Sequence, residues 1–357
     1  MGHTILAATM VLTLLVGAGC GGLPPSATTS VSPSAVSPAT PLLPPIPTST
    51  AGDPSAAAVT AMTAPAWLVQ NLDRVSEERL MADVEALAAI PTRHVNSPGI
   101  SVAADYIAAG FARSGAQVTR DVFPLEFRDF AAEQRNVVAV FPGSDPTAGA
   151  IVLGAHYDSR TVDIADWVSP APGANDNATG VAVLLEVARQ LARYEPKATI
   201  YLVAFAAEET GLQGSRHFVE SGQASDARAM VAFDIVGNSS GPSGSNALRV
   251  FSAGPEDSSS RTLAHWLARL GGGWTPDIPV LVQDAIDRPG RYSDHVPFSD
   301  AGIAAVRLIE DGEHTELQHN ELDTADRIDP AYLRRVAQLA LALTVELGAE
   351  PGAFLEE

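Results

Sequence analysis

The chain has 357 residues, 46% of them hydrophobic, and sets 42 acidic against 22 basic side chains for a formal net charge of −20. So acidic a chain excludes a phosphate-tracking surface of the kind that binds nucleic acid. Its single cysteine, Cys20, excludes an intrachain disulfide and a zinc site built on thiolates.

The first element in chain order is the apolar run TILAATMVLTLLVGAG, residues 4–19, which ends in small residues before Cys20. It is too short for a bilayer span and reads as an export signal over residues 1–20. Small residues before a cysteine resemble a bacterial lipoprotein signal. That resemblance implies lipid on Cys20, membrane attachment through it, and a chain facing outward from the cell. The alternative is an ordinary cleaved signal and a secreted product. Residues 21–65 are rich in Pro, Ser, Thr and Ala, with Asp53 as their one charged residue. Such a segment buries too little to offset its ordering entropy, so a disordered tether is expected.

Folded character begins near residue 66 and is expected to continue to the end of the chain as one domain. Residues 76–90 form a helix opened by Ser76, with a glutamate in the first turn and helical apolar spacing. Residues 100–115 form a second, closed by Gly115. Apolar runs at 136–141, 150–156, 199–206, 229–237, 247–252 and 303–309 read as strands. Helices are expected at 178–194, 212–221, 258–270 and 330–347. Continuous apolar strands alternating with helices predict a three-layer α/β/α sandwich around a mostly parallel, mixed sheet. In such sheets the site lies beyond the carboxyl ends of the strands.

The polar residues gather there. GAHYDS carries His156 and Asp158; PGANDNATG carries Asp176; AFAAEETGLQGS carries Glu208 and Glu209; AFDIVGN carries Asp234. The late loop HTELQHNELDT offers His319, with His314 as competitor. Each alone has an ordinary explanation. A histidine after a strand is more often a hydrogen-bonded structural residue, and an aspartate before a helix is more often a cap. Adjacent glutamates suit a first helical turn, where they face unpaired N–H groups. Their recurrence at successive strand ends instead suits a pair of zinc ions, which accept imidazole and carboxylate and leave a position open for water.

These blocks, in this order, resemble the co-catalytic di-zinc aminopeptidases, which include secreted bacterial leucine aminopeptidases. The strongest parts are GAHYDS, PGANDNATGVAVLLEVAR, AFAAEETGLQGSRHF, and SDHVPF with the later HNELDT. The resemblance implies two zinc ions per chain. Asp176 would bridge them, His156 and Asp234 would complete one, and Glu209 and His319 the other. Glu208 would act as general base toward a metal-bridged water, and Asp158 would accept the second N–H of His156. Asp294 and His295 would support the site from behind, and Tyr292 is a candidate to stabilise the oxyanion, because Gln318 stands where some relatives have tyrosine. A cis peptide is implied between Asp176 and Asn177. The division between the glutamates has a physical reason: a carboxylate bound to zinc is a poor base, so one must bind while its neighbour stays free.

The implied activity is removal of an N-terminal residue from peptides with a free amino terminus. Two relatives of the same fold remain as alternatives, a glutaminyl cyclase and a carboxypeptidase for acidic dipeptides. The latter needs a basic pocket, which the sequence does not reveal. A binding domain on an inactive scaffold is the non-enzymatic alternative, although such domains lose ligands and this chain keeps the set. His94, His217 and His265 have no constellation around them. Substrate preference is expected to reside in loops such as 163–171 and 271–288, which carry no readable code.

Overall fold

The computed structural model describes residues 66–128, 130–239, 245–252, 254–283 and 292–355. The expected export signal, Cys20 and the tether lie outside the described residues. Helices α1 (Ala66–Leu72), α2 (Glu77–Ala88) and α3 (Gly99–Arg113) come first. The start of α2 is fixed by Ser76, whose Oγ accepts the Arg79 N–H at 3.2 Å, and by Glu77 and Glu78 in the first turn. Next come β1 (Gln117–Phe127), β2 (Phe130–Phe141), β3 (Ala150–His156), α4 (Thr179–Leu191), β4 (Thr199–Phe205), α5 (Gln213–Glu220) and β5 (Ala227–Phe233). The chain continues through β6 (Leu248–Phe251), α6 (Ser259–Trp274), β7 (Val280–Gln283), α7 (His295–Asp300), β8 (Ala304–Glu310) and α8 (Pro330–Ala349).

The eight strands form one mixed sheet in the order β1-β2-β4-β3-β5-β8-β6-β7. At its centre β4, β3, β5 and β8 run parallel; β2 and β6 flank them antiparallel. Side chains alternate between two cores, as the pleat requires. Ile151, Leu153 and Ala155 pack into the larger core with Leu80 of α2, Ile107 of α3, Val181 of α4, Leu263 of α6 and Leu333 of α8. Val152 packs on the other face with Val203, Phe205 and Met230, beneath Phe218 of α5 and Phe298 of α7. Helices on both faces leave the central strands β3, β4, β5 and β8 buried over most of their length, hence their unbroken apolar runs.

The structure adds elements the apolar pattern did not reveal. Strand β1 is largely exposed and pairs antiparallel with β2 from Gln117↔Val140 to Phe127↔Phe130. At this sheet edge QVTRDVFPLEF carries polar residues on both faces, so no apolar period marks it. Short β7, α1 and α7 were also unmarked. The strand expected over 229–237 stops at Phe233, which puts Asp234 just past its carboxyl end.

Candidate metal centre

Parallel β3, β4, β5 and β8 end on one rim, and the site residues come from those ends. His156 is the last residue of β3, Asp234 follows β5, and Glu208 and Glu209 follow β4. Asp176 lies in the single turn Ala174–Ala178 that leads into α4, and its bond to Asn177 is cis. His319 comes from the loop between β8 and α8. The His156 Nε2 lies 3.2 Å from Asp176 Oδ1 and 3.4 Å from Asp234 Oδ1. The His319 Nε2 lies 3.2 Å from Asp176 Oδ2 and 3.1 Å from Glu209 Oε1. The two oxygens of Asp176 thus face two separate donor groups, His156 with Asp234 and Glu209 with His319. Glu208 belongs to neither, yet lines the same cavity of about 380 Å³.

Two further aspartates hold the backbone that presents these groups. Asp158 accepts the N–H of Glu208 on one oxygen and of Glu209 on the other, both at 3.1 Å. Asp323 accepts the N–H of Asn175 at 2.8 Å and of Asp176 at 3.0 Å, again one per oxygen. Positive φ at Ala207 (58°), Ile235 (62°) and His319 (59°) sits beside or on site residues. For a β-branched residue such as Ile235 this backbone is costly and marks a place where surrounding structure dictates the turn.

Residues 136–344 match Peptidase family M28. The chain belongs to that family. It is 32% identical over 328 residues to a protein of Leptosphaeria maculans described as a probable zinc metalloprotease, spanning 79% of this chain and 76% of that protein. The LapA aminopeptidase of Legionella pneumophila has the same fold, with a TM-score of 0.66 at 25% identity over 79% of this chain and 75% of that one. An aminopeptidase from Aneurinibacillus sp. strain AM-1 shares the fold with a TM-score of 0.65 at 19% identity, over 81% and 98% of the two chains. This M28 chain is therefore a peptide hydrolase of the zinc-metallopeptidase type.

The residues of the M28 centre fit zinc. Their donors are imidazole nitrogens and carboxylate oxygens, the set that zinc accepts. Buried Glu209 Oε1 lies 3.1 Å from His319 Nε2 without hydrogen-bond geometry between them, an arrangement a cation shared by the two would satisfy. The electrostatics make the same demand. Burial opposes charge on the imidazoles, but Glu208, Asp158, Asp176 and Asp234 together hold His156 well above its ordinary range. Against the same burial, Asp176 and Glu209 hold His319 at about 10. Burial resists ionisation of Asp234, yet Arg307 and His156 pull it down to about 2. Burial and the adjacent acids Glu209, Asp234 and Asp294 push Glu208 well up, against the opposing pull of His156. The centre attracts positive charge.

The remaining predicted residues separate clearly. Tyr292 and Gln318 line the cavity. Asp294 and His295 are fully buried behind it, and burial lifts the Asp294 carboxyl to about 7. His314 lies outside the cavity, its Nδ1 2.9 Å from Glu316. His217 bonds Asp121 at 3.1 Å and stacks on Phe123, His94 meets the Ile164 carbonyl at 3.1 Å, and His265 lies 3.6 Å from Glu256. The His156 Nδ1 is 3.2 Å from the Asp158 carbonyl and 3.6 Å from its carboxylate. The backbone carbonyl is therefore the nearer acceptor for that N–H, and the Asp158 carboxylate serves mainly the two glutamate N–H groups.

Several residues of the site escaped sequence reasoning. Arg307 pairs with Asp234 at 3.1 Å and Arg160 with Glu209 at 2.7 Å. Buried Arg93 donates to the carbonyls of Pro172 and Gly173, steadying the approach to Asp176. Buried Glu310 accepts both bonds from the Asn175 side chain, at 3.0 and 3.1 Å. A signal existed for Arg307 and Glu310. A charged residue inside or at the end of an apolar central strand, as in AAVRLIE, must find a partner.

Proposed function

We propose that this M28 peptidase is an exported aminopeptidase that hydrolyses the N-terminal peptide bond of peptides with a free amino terminus, using two zinc ions per chain. The observation that carries the reading is one carboxylate, Asp176, shared by two donor groups, with Glu208 on the same cavity wall and outside both. His156, Asp176 and Asp234 hold one ion in this reading; Asp176, Glu209 and His319 hold the other. Zinc bound there supplies Lewis acidity toward the scissile carbonyl and makes water ionisable near neutral pH. Glu208 accepts a proton from the attacking water and returns it to the leaving amine. Asp158 fixes Glu208 and Glu209 relative to each other through their backbone N–H groups. Tyr292, from the cavity wall, is the candidate to hold the oxyanion. The aminopeptidase relatives from Legionella and Aneurinibacillus support the choice of an N-terminal bond.

Export rests on residues 1–20 and lipid attachment on Cys20, with residues 21–65 as the tether of an outward-facing domain. The intact mass of the mature chain checks this: a lipid-modified Cys20 at the amino terminus is expected, and an unmodified terminus elsewhere sinks the anchor. For the activity, the test is a panel of aminoacyl anilides, N-blocked peptides and N-terminal glutaminyl peptides, run with and without chelator. Hydrolysis should require the free amine, vanish with chelator and return with zinc. Equal cleavage of N-blocked substrates would sink the exopeptidase reading. Cyclisation of glutaminyl peptides without hydrolysis would identify a glutaminyl cyclase instead.

A further inference from the structure

Three arginines line the cavity beside the centre, an unusual share in so acidic a protein. Arg160 from the loop after β3, Arg216 from α5 and Arg307 from β8 all line it. Every acidic residue among the lining residues already has a place in the proposed chemistry: Asp176, Glu208, Glu209 and Asp234. Leu212 and Ile235 are the aliphatic side chains of the lining, each largely buried, and Tyr292 adds an exposed ring. An anion entering here would meet guanidinium groups.

The arginines are not equivalent. Arg307, with its side chain 7% exposed, is paired to Asp234, and Arg160 is paired to Glu209 and donates to the Thr161 carbonyl. Arg216 is exposed in the first turn of α5, and its side chain has no hydrogen-bond or ion-pair partner among the described residues. With zinc bound as proposed above, four carboxylates are offset by two divalent ions, which leaves the guanidinium groups as net positive charge toward the substrate.

We propose that the substrate carries a carboxylate close to its scissile bond, and that Arg216 binds it while Arg160 and Arg307 keep the cavity positive. Two carboxylates stand near the scissile bond of a short peptide: the side chain of an N-terminal aspartate or glutamate, and the free C-terminus of a di- or tripeptide. A guanidinium offers either of them a paired, charge-assisted contact. This inference rests on the aminopeptidase reading and names its substrate class.

The test compares the zinc-loaded wild type with Arg216→Ala and Arg216→Glu. One arm sets aspartyl and glutamyl anilides against asparaginyl and leucyl anilides. The other sets Leu-Ala against its C-terminal amide. In at least one arm the wild type should prefer the acidic substrate by about 10–100-fold in kcat/KM, the worth of one charged hydrogen bond. That ratio should collapse in Arg216→Ala and invert in Arg216→Glu, and the responding arm identifies the carboxylate. Calorimetry with Glu208→Gln and Glu208→Gln/Arg216→Ala, using aspartate, asparagine, Leu-Ala and its amide as probes, reads binding without turnover. Equal treatment of acidic and neutral members in both arms, or a ratio unmoved at Arg216, overturns the proposal even where the aminopeptidase reading stands. Arg216-dependent carboxylate binding without hydrolysis of any free-amine substrate keeps the proposal and sinks the aminopeptidase reading.

Discussion

Glu186 and Asp83 are buried at least as deeply as the proposed acidic metal ligands, yet the two groups of acids are arranged differently. Glu186 of α4 receives Arg79 through Nε at 3.0 Å and Nη2 at 2.5 Å, Arg189 at 3.2 Å, Gln190 at 2.9 Å and the Ser76 N–H at 3.2 Å. Asp83 of α2 is paired with Arg189 at 2.7 Å and with the Tyr106 hydroxyl at 2.7 Å. Each charge in that cluster meets opposite charge and donors, and it lies between packed helices. The rim acids face imidazoles and one another across an open cavity. A buried carboxylate ringed by its own cations tightens a fold; at the rim Arg160 and Arg307 reach Glu209 and Asp234, while Asp176 faces imidazoles on both oxygens and leaves room for a cation from outside.

Removing metal should separate the two clusters most strongly. Exhaustive chelation is expected to take activity to background, and titration with zinc to restore it at two equivalents per chain. Full recovery at one equivalent would contradict the division of donors around Asp176. Next in size is Glu208→Gln, expected to lower kcat by about 10²–10⁴-fold. Zinc content by elemental analysis should be unchanged. Loss of metal with the activity would place Glu208 among the ligands. Asp158→Asn should cost about 10–100-fold in zinc affinity or turnover, since an amide cannot accept both glutamate N–H groups. Competition with a chelating dye and initial rates both report it, and wild-type values in both would show that the clamp is dispensable. The smallest catalytic effect is expected from the closed cluster. Glu186→Gln should lower stability by about 1–3 kcal/mol in denaturant titrations, with half-exposed Arg79 moderating the loss, while kcat/KM per folded molecule stays unchanged. A selective loss of turnover there would erase the contrast between the clusters.

Much of this contrast was legible in the sequence. His156, Asp176, Glu208, Glu209, Asp234 and His319 sit in or next to strand ends and turns, where the apolar pattern stops and a short polar motif begins. The central strands were legible for the same reason, since burial on both faces forces an unbroken apolar run. The β1–β2 hairpin was not, because β1 is mostly exposed and Pro124 interrupts its pattern. Asp158 could be tied to His156, its neighbour at i+2. Its stronger bonds reach Glu208 and Glu209, roughly fifty residues away, and nothing local encodes them.

The sequence by itself determined the layered α/β architecture, the family, and which side chains stand at the ends of the parallel strands, because periodicity and strand-end motifs are properties of neighbouring residues. The tertiary structure decided how those side chains group around the two oxygens of Asp176. It also decided that arginines from positions 160, 216 and 307 share one cavity. Those facts depend on distances between segments that meet when β3, β4, β5 and β8 lie side by side, and charge acts through those distances whatever the spacing along the chain.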